Sequence, residues 1–183
     1  MDPISEDRRA LLLTLGALGI APFIRPPEVF GRSDPQPGYL LGPGEGEHLV
    51  HFRDGGDICI KLSSASGSRD LAVGTQQVKV GTGIPVHRHL AMDEAFYVLR
   101  GSGTVLLDDV GHSFEAGSSI YIPRMTWHAF ENPEHELLLL WMVSPPGLEA
   151  FFRGTCSPPG APPKGLTRDQ IREVARKYGT EFR

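Results

Sequence analysis

The stretch Gly81-Thr-Gly-Ile-Pro-Val-His87-Arg-His89-Leu-Ala-Met-Asp-Glu94-Ala-Phe-Tyr-Val-Leu-Arg-Gly101 decides how this chain is read. His87 and His89 are two residues apart, and in an extended strand such residues point to the same face. Both rings can therefore reach one ion. Glu94 stands five residues past His89, an odd offset that a continuous strand would aim to the wrong side. A turn or bulge is expected within 90–93. Beyond it Glu94, Phe96 and Val98 share one face, and Ala95, Tyr97 and Leu99 share the other. Gly101-Ser-Gly103 ends the run with a turn signal.

A second stretch repeats the plan: Gly117-Ser-Ser-Ile-Tyr-Ile-Pro123-Arg-Met-Thr-Trp-His128-Ala-Phe-Glu-Asn132. Residues 119–122 read as a strand, Pro123 stops it, and 127–130 resume it with His128 and Phe130 on one face. Only fifteen residues, 102–116, separate the two stretches. They hold the apolar run 104–107, a polar turn at 108–111 and a short segment at 113–114, a hairpin with no room for a helix.

Taken together, the stretches resemble the paired motifs of the cupin superfamily. The first, G-x5-H-x-H-x4-E-x6-G, is matched by Gly81, His87, His89, Glu94 and Gly101. The second, G-x5-P-x-G-x2-H-x3-N, is matched by Gly117, Pro123, His128 and Asn132 and departs at Met125, where the family has glycine. The resemblance implies an all-β fold, a small antiparallel jelly-roll barrel. It also implies one divalent metal held by His87, His89, Glu94 and His128. Mixed imidazole and carboxylate ligation suits Fe, Ni, Mn, Co or Zn, and affinity order does not select among them. The motif pair occurs once, as in a monocupin.

Length and composition fit this reading. The chain has 183 residues, 40% of them hydrophobic, enough for one core with extensions. With a net charge of −4 and no basic stripe, it is not expected to bind nucleic acid. Its 22 Gly and 16 Pro suit short strands joined by tight turns. Cys59 and Cys156 belong to no C-x-x-C pair and read as free thiols.

Three parts are expected: an N-terminal helix or signal-like segment with a Pro-rich linker (1–37), the barrel (38–146), and a C-terminal extension with a helix (147–183). The apolar run 10–20 is too short to span a bilayer, so stable membrane insertion is not expected. Arg8-Arg9 before it resembles a twin-arginine export signal, but Asp2, Glu6 and Asp7 cancel the charge such a signal carries. A cytoplasmic location is expected, with export as the alternative. Further strands are expected at 39–41, 48–52, 57–62, 71–80 and 136–143. The last is apolar on both faces, and a homodimer would cover the outer one. A short helix is expected at 147–152. A longer one is capped by Thr167 and Gln170, carries an apolar stripe at Ile171, Val174, Ala175 and Tyr178, and stops at Gly179. His48, His51, His112 and His135 have no partner at ligand spacing and read as surface or hydrogen-bonded residues, with His48 and His51 able to approach the barrel mouth.

Small barrels carry ligands in their mouths. A substrate pocket is expected beside the metal, lined by Phe96, Val98 and Phe130, with Tyr121 and Met142 added where bulges turn them inward. The chain also resembles, more loosely, the monocupin quercetin 2,3-dioxygenase-like proteins. That likeness implies a dioxygenase acting on a small aromatic or enolisable substrate, with Glu94 both metal ligand and catalytic proton acceptor. The alternatives are a non-redox isomerase, lyase or decarboxylase, or a small-molecule-binding cupin without turnover.

Overall fold

Burial alternates residue by residue along the longest strands of the computed structural model, which describes residues 37–183. This is the signature of strands with one face on a core. The N-terminal helix or signal-like segment and most of the linker expected in 1–37 lie outside the described residues. Among the described residues, no helix is long and apolar enough to cross a membrane.

Among the described residues, eleven strands and two α-helices follow in order: β1 (Glu47–Val50), β2 (Asp57–Leu62), β3 (Ala72–Val78), β4 (Ile84–His89), β5 (Asp93–Arg100), β6 (Ser102–Leu107), β7 (Val110–Glu115), β8 (Ser119–Ile122), β9 (His128–Glu131), β10 (Leu137–Ser144), α1 (Leu148–Thr155), α2 (Arg168–Lys177) and β11 (Thr180–Phe182). They form two antiparallel sheets, ordered β1-β2-β3-β10-β5-β8 and β11-β4-β9-β6-β7. This is the expected jelly-roll architecture. The sheets meet through aromatic side chains. Phe96 of β5 packs edge-on against Phe130 of β9 at 4.9 Å, and Phe130 packs against Phe114 of β7 at 5.7 Å. Each such pair contributes about 0.5–1.5 kcal/mol beyond area burial.

The chain changes sheets where the odd offset requires it. β4 ends at His89, residues 90 and 91 bend, and β5 begins at Asp93 in the opposite sheet. Glu94, Phe96 and Val98 then face the core while Tyr97 and Leu99 stay partly exposed. The central strand β10 buries Leu139, Trp141 and Val143 and turns Leu138, Leu140 and Met142 outward. Trp141 pairs with Gly74 of β3, where an added Cβ would come within 2.3 Å of the indole. Glycine there makes room for the largest buried side chain.

One expected strand is absent. Residues 39–41 join no ladder, and Leu40 is 91% exposed. The run is instead anchored by a side chain, the Tyr39 hydroxyl lying 2.8 Å from that of Ser66. One strand was not expected. After α2, whose capping box between Thr167 and Gln170 forms as anticipated, Gly179 takes φ 72° and turns the chain back so that β11 pairs with β4.

Met125 replaces the family glycine and still adopts the glycine conformation, with φ 72°. Its N–H donates to the His89 carbonyl at 2.7 Å, which holds the turn in place. A side chain in the left-handed region costs about 1–2 kcal/mol relative to glycine, less what glycine loses in unfolded-chain entropy. Met125→Gly is therefore expected to raise unfolding stability by about 0.5–1 kcal/mol, and Gly74→Ala to lower it by about 1–3 kcal/mol through overpacking. Urea unfolding midpoints of the two variants check this pair of opposite signs.

Candidate metal centre

His87 and His89 project from β4, His128 from β9 and Glu94 from β5, so the four come from both sheets. β4 and β9 place His87 directly opposite His128, with ring centroids 4.0 Å apart. All four side chains are buried. One ligand atom from each lies within 4.8 Å of the others, so the group could hold a metal ion.

The outer ring nitrogens are spoken for. Nδ1 of His87 meets the Pro85 carbonyl at 2.8 Å, and Nδ1 of His128 meets the Thr126 carbonyl at 3.0 Å. A carbonyl only accepts, so each Nδ1 is the donor and each Nε2 keeps its lone pair. Nδ1 of His89 lies 3.0 Å from the Thr180 hydroxyl oxygen. Nε2 of His89 and of His128 stand 3.1 and 3.2 Å from the same Glu94 oxygen. The His128 contact is close, yet that nitrogen has no hydrogen-bond partner. A lone pair facing a carboxylate oxygen is repulsive unless a cation lies between them.

The residues therefore fit a metal. A first-row divalent ion holds such ligands at about 2.0–2.2 Å, which sets ligand atoms roughly 3–4 Å apart, and the group needs little contraction to reach this. Burial, then the neighbouring His128 and His89 rings, hold the His87 imidazole well below its usual range, so it is a neutral ligand. Burial opposes ionisation of Glu94, but positive charge on the adjacent His89 and His128 imidazoles outweighs it and holds the carboxyl well below the usual carboxylate range, a role that would pass to a bound cation when the rings are neutral ligands.

A cavity of about 460 Å³ opens from this group. Of the residues expected to line it, Phe96 does so. Val98 and Phe130 are buried in the core behind it. Tyr121 is instead 63% exposed, because β8 buries Ile120 and Ile122 on the opposite face. Met142 lies on the outer face of β10, where no bulge turns it inward. In their place the cavity is walled by Phe151 and Phe152 of α1, Ile171 of α2 and Phe182 of β11. Ile171 carried a helical stripe in the sequence, but nothing local announces that α2 and β11 fold back over the barrel mouth.

His51 is also in the lining, stacked on Phe52 at 4.4 Å. Its Nδ1 accepts the Arg53 N–H at 3.0 Å, so it is neutral and not a ligand. Gln76 of β3 is buried and reaches the cavity.

Residues 74–144 match the family model described as a cupin domain, and solved structures of cupin fold superpose on the chain. Residues 74–144 are a cupin domain. This cupin is 33% identical over 96 residues to auxin-binding protein 1 of Arabidopsis thaliana, covering 47% of this chain and 48% of that protein. It is 28% identical over 118 residues to quercetin 2,3-dioxygenase of Bacillus subtilis, covering 63% of this chain and 34% of that protein. A predicted oxalate decarboxylase from Thermotoga maritima superposes with a TM-score of 0.51 at 18% identity, covering 58% of this chain and 98% of that one, a likeness of fold alone. The cupin spans about half the length of the curated relatives it matches.

The burial of His51 has a measurable consequence. Burial, then the Arg53 charge, push its imidazole down to about 3, and the Asp54 carboxylate 3.8 Å away opposes this only in part. As pH falls below about 6.5 the unfolded chain takes up the proton first, so stability declines toward about pH 3. The urea midpoint of the metal-free protein is expected to fall between about pH 7 and pH 5, and to fall less in the His51→Gln variant. Equal slopes in both proteins would assign the loss to other groups.

Proposed function

We propose that this cupin is a metal-dependent oxygenase, a dioxygenase acting on a small aromatic or enolisable substrate that binds at the metal. The observation that carries the reading is the convergence of three Nε2 atoms and one carboxylate at the closed end of an apolar cavity. The likeness to a quercetin 2,3-dioxygenase supports it. His87, His89, Glu94 and His128 would hold one divalent transition metal per chain. When bound, a redox-active ion supplies electron exchange with O2 and Lewis acidity toward a substrate oxygen.

The protein's own groups do the rest. Phe96, Phe151 and Phe152 take up the apolar body of the substrate and exclude water from the reacting end. Glu94 is the one carboxylate in the lining. Its position at the floor suits it to accept the proton of a substrate hydroxyl, leaving the enolate or phenolate oxygen that oxidation requires. Thr180 Oγ1 lies 3.0 Å from Nδ1 of His89 and, with Nε2 serving as a metal ligand, would accept the Nδ1–H and so hold that ring with Nε2 inward.

Oxygen-electrode assays of the full chain, loaded in turn with Fe, Ni, Mn, Co or Zn and offered a flavonol or a catechol, test the reading. Oxygen uptake is expected only with both metal and substrate, and a chelator should abolish it. Turnover that continues under nitrogen would instead identify an isomerase, lyase or decarboxylase. Glu94→Gln is expected to lower uptake by about 100-fold or more, and full turnover with metal retained would remove the proton-acceptor role. Thr180→Val should weaken metal affinity by about tenfold, read by competition with a colorimetric chelator.

A further inference from the structure

Burial sorts the cavity lining into three zones. At the closed end lie His87, His89 and Glu94 with the buried amide of Gln76. The walls are apolar, dominated by Ile84, Leu148, Phe151, Phe152 and Phe182. Three exposed arginines, Arg168, Arg172 and Arg183, stand at the solvent side, Arg53 is largely buried in the lining, and no acidic side chain but Glu94 lines the space. The mouth is thus strongly positive on a chain whose net charge is −4.

These arginines are not all used up by the protein. Arg183 pairs with Asp109 at 2.9 Å. Arg53 reaches Asp54 only at 3.4 Å through Nη2, and its Nε is buried with no hydrogen-bond partner. Arg172 makes one long contact, 3.5 Å, to a main-chain oxygen of Arg183. Arg168 and Arg172 have no acidic side-chain partner among the described residues. Both lie with Ile171 at i, i+3 and i+4 on the face of α2 turned to the cavity, while Asp169 and Glu173 of the same helix are not in the lining. A buried guanidinium nitrogen without a partner is costly, and arginine forks match carboxylates in a bidentate way.

We propose that the ligand of this site is an amphipathic organic acid. Its oxygen-bearing end lies at the metal group, its apolar body along the phenylalanines, and its carboxylate at the mouth among Arg53, Arg168 and Arg172. This rests on the reading that a small molecule binds at the metal. It adds the charge of that molecule and which end of it enters first. The positive mouth also draws the acid in, so association weakens with salt.

The test is calorimetric titration of the metal-loaded full chain with 3-(3,4-dihydroxyphenyl)propanoate and with its methyl ester, whose catechol ends are identical. The acid is expected to bind about tenfold more tightly, the size of one charge-assisted contact. Arg168→Gln/Arg172→Gln, on exposed positions, should reduce that preference to about twofold or less and flatten its salt dependence. Arg53→Gln, if it folds, should do the same. Equal binding of acid and ester would overturn the proposal while leaving the small-molecule site intact. So would a preference that survives the arginine variants and disappears on removing the metal, because the carboxylate would then be at the metal end. Failure of both compounds to bind the loaded protein would overturn the proposal and the reading beneath it together.

Discussion

A buried carboxylate set among buried imidazoles, Glu94 beside His89 and His128, is the constraint on which the arrangement depends. It joins β5 of one sheet to β4 and β9 of the other. Leaving a charge of this kind unpaired in an apolar interior costs several kcal/mol. The surrounding chain meets that cost twice over, with backbone carbonyls and a hydroxyl turning each ring outward at Nδ1 and with four ligand atoms converging inward. A bound cation would complete the balance that the protein groups leave open at His128 Nε2.

Much of this was legible in the sequence because it is periodic. His87 and His89 share a strand face by the alternation of extended chain, and the odd spacing to Glu94 forecast the bend at 90–91 that carries the chain across to the second sheet. The hairpin between the two motifs and the capping box at Thr167 are equally local. The facing of Tyr121 and Met142 was misjudged for a related reason. Both strands alternate without an inward bulge at those positions, so each residue stands opposite its buried neighbours.

The cavity itself was largely illegible, because closure at long range leaves no periodic trace. β11 lies more than ninety positions from the strand it joins, as the contact between Thr180 and His89 shows. Arg168 and Arg172 read as ordinary solvated charges on an amphipathic helix until the helix is seen against the barrel mouth. One C-terminal segment thus does three things. It extends a sheet, orients a candidate ligand through Thr180, and supplies most of the positive rim. Met125 makes the complementary point: the motif's turn is kept by the His89 carbonyl even where the residue is not the one the turn prefers.

The measurement that bears most directly on the centre is X-ray absorption at the metal edge of the full chain loaded with a single divalent ion. A first shell of nitrogen and oxygen with outer-shell scattering from about three imidazoles, at one ion per chain, is the expected spectrum. A chain that retains no ion, or an ion whose spectrum lacks imidazole scattering, would contradict the assignment of these four side chains.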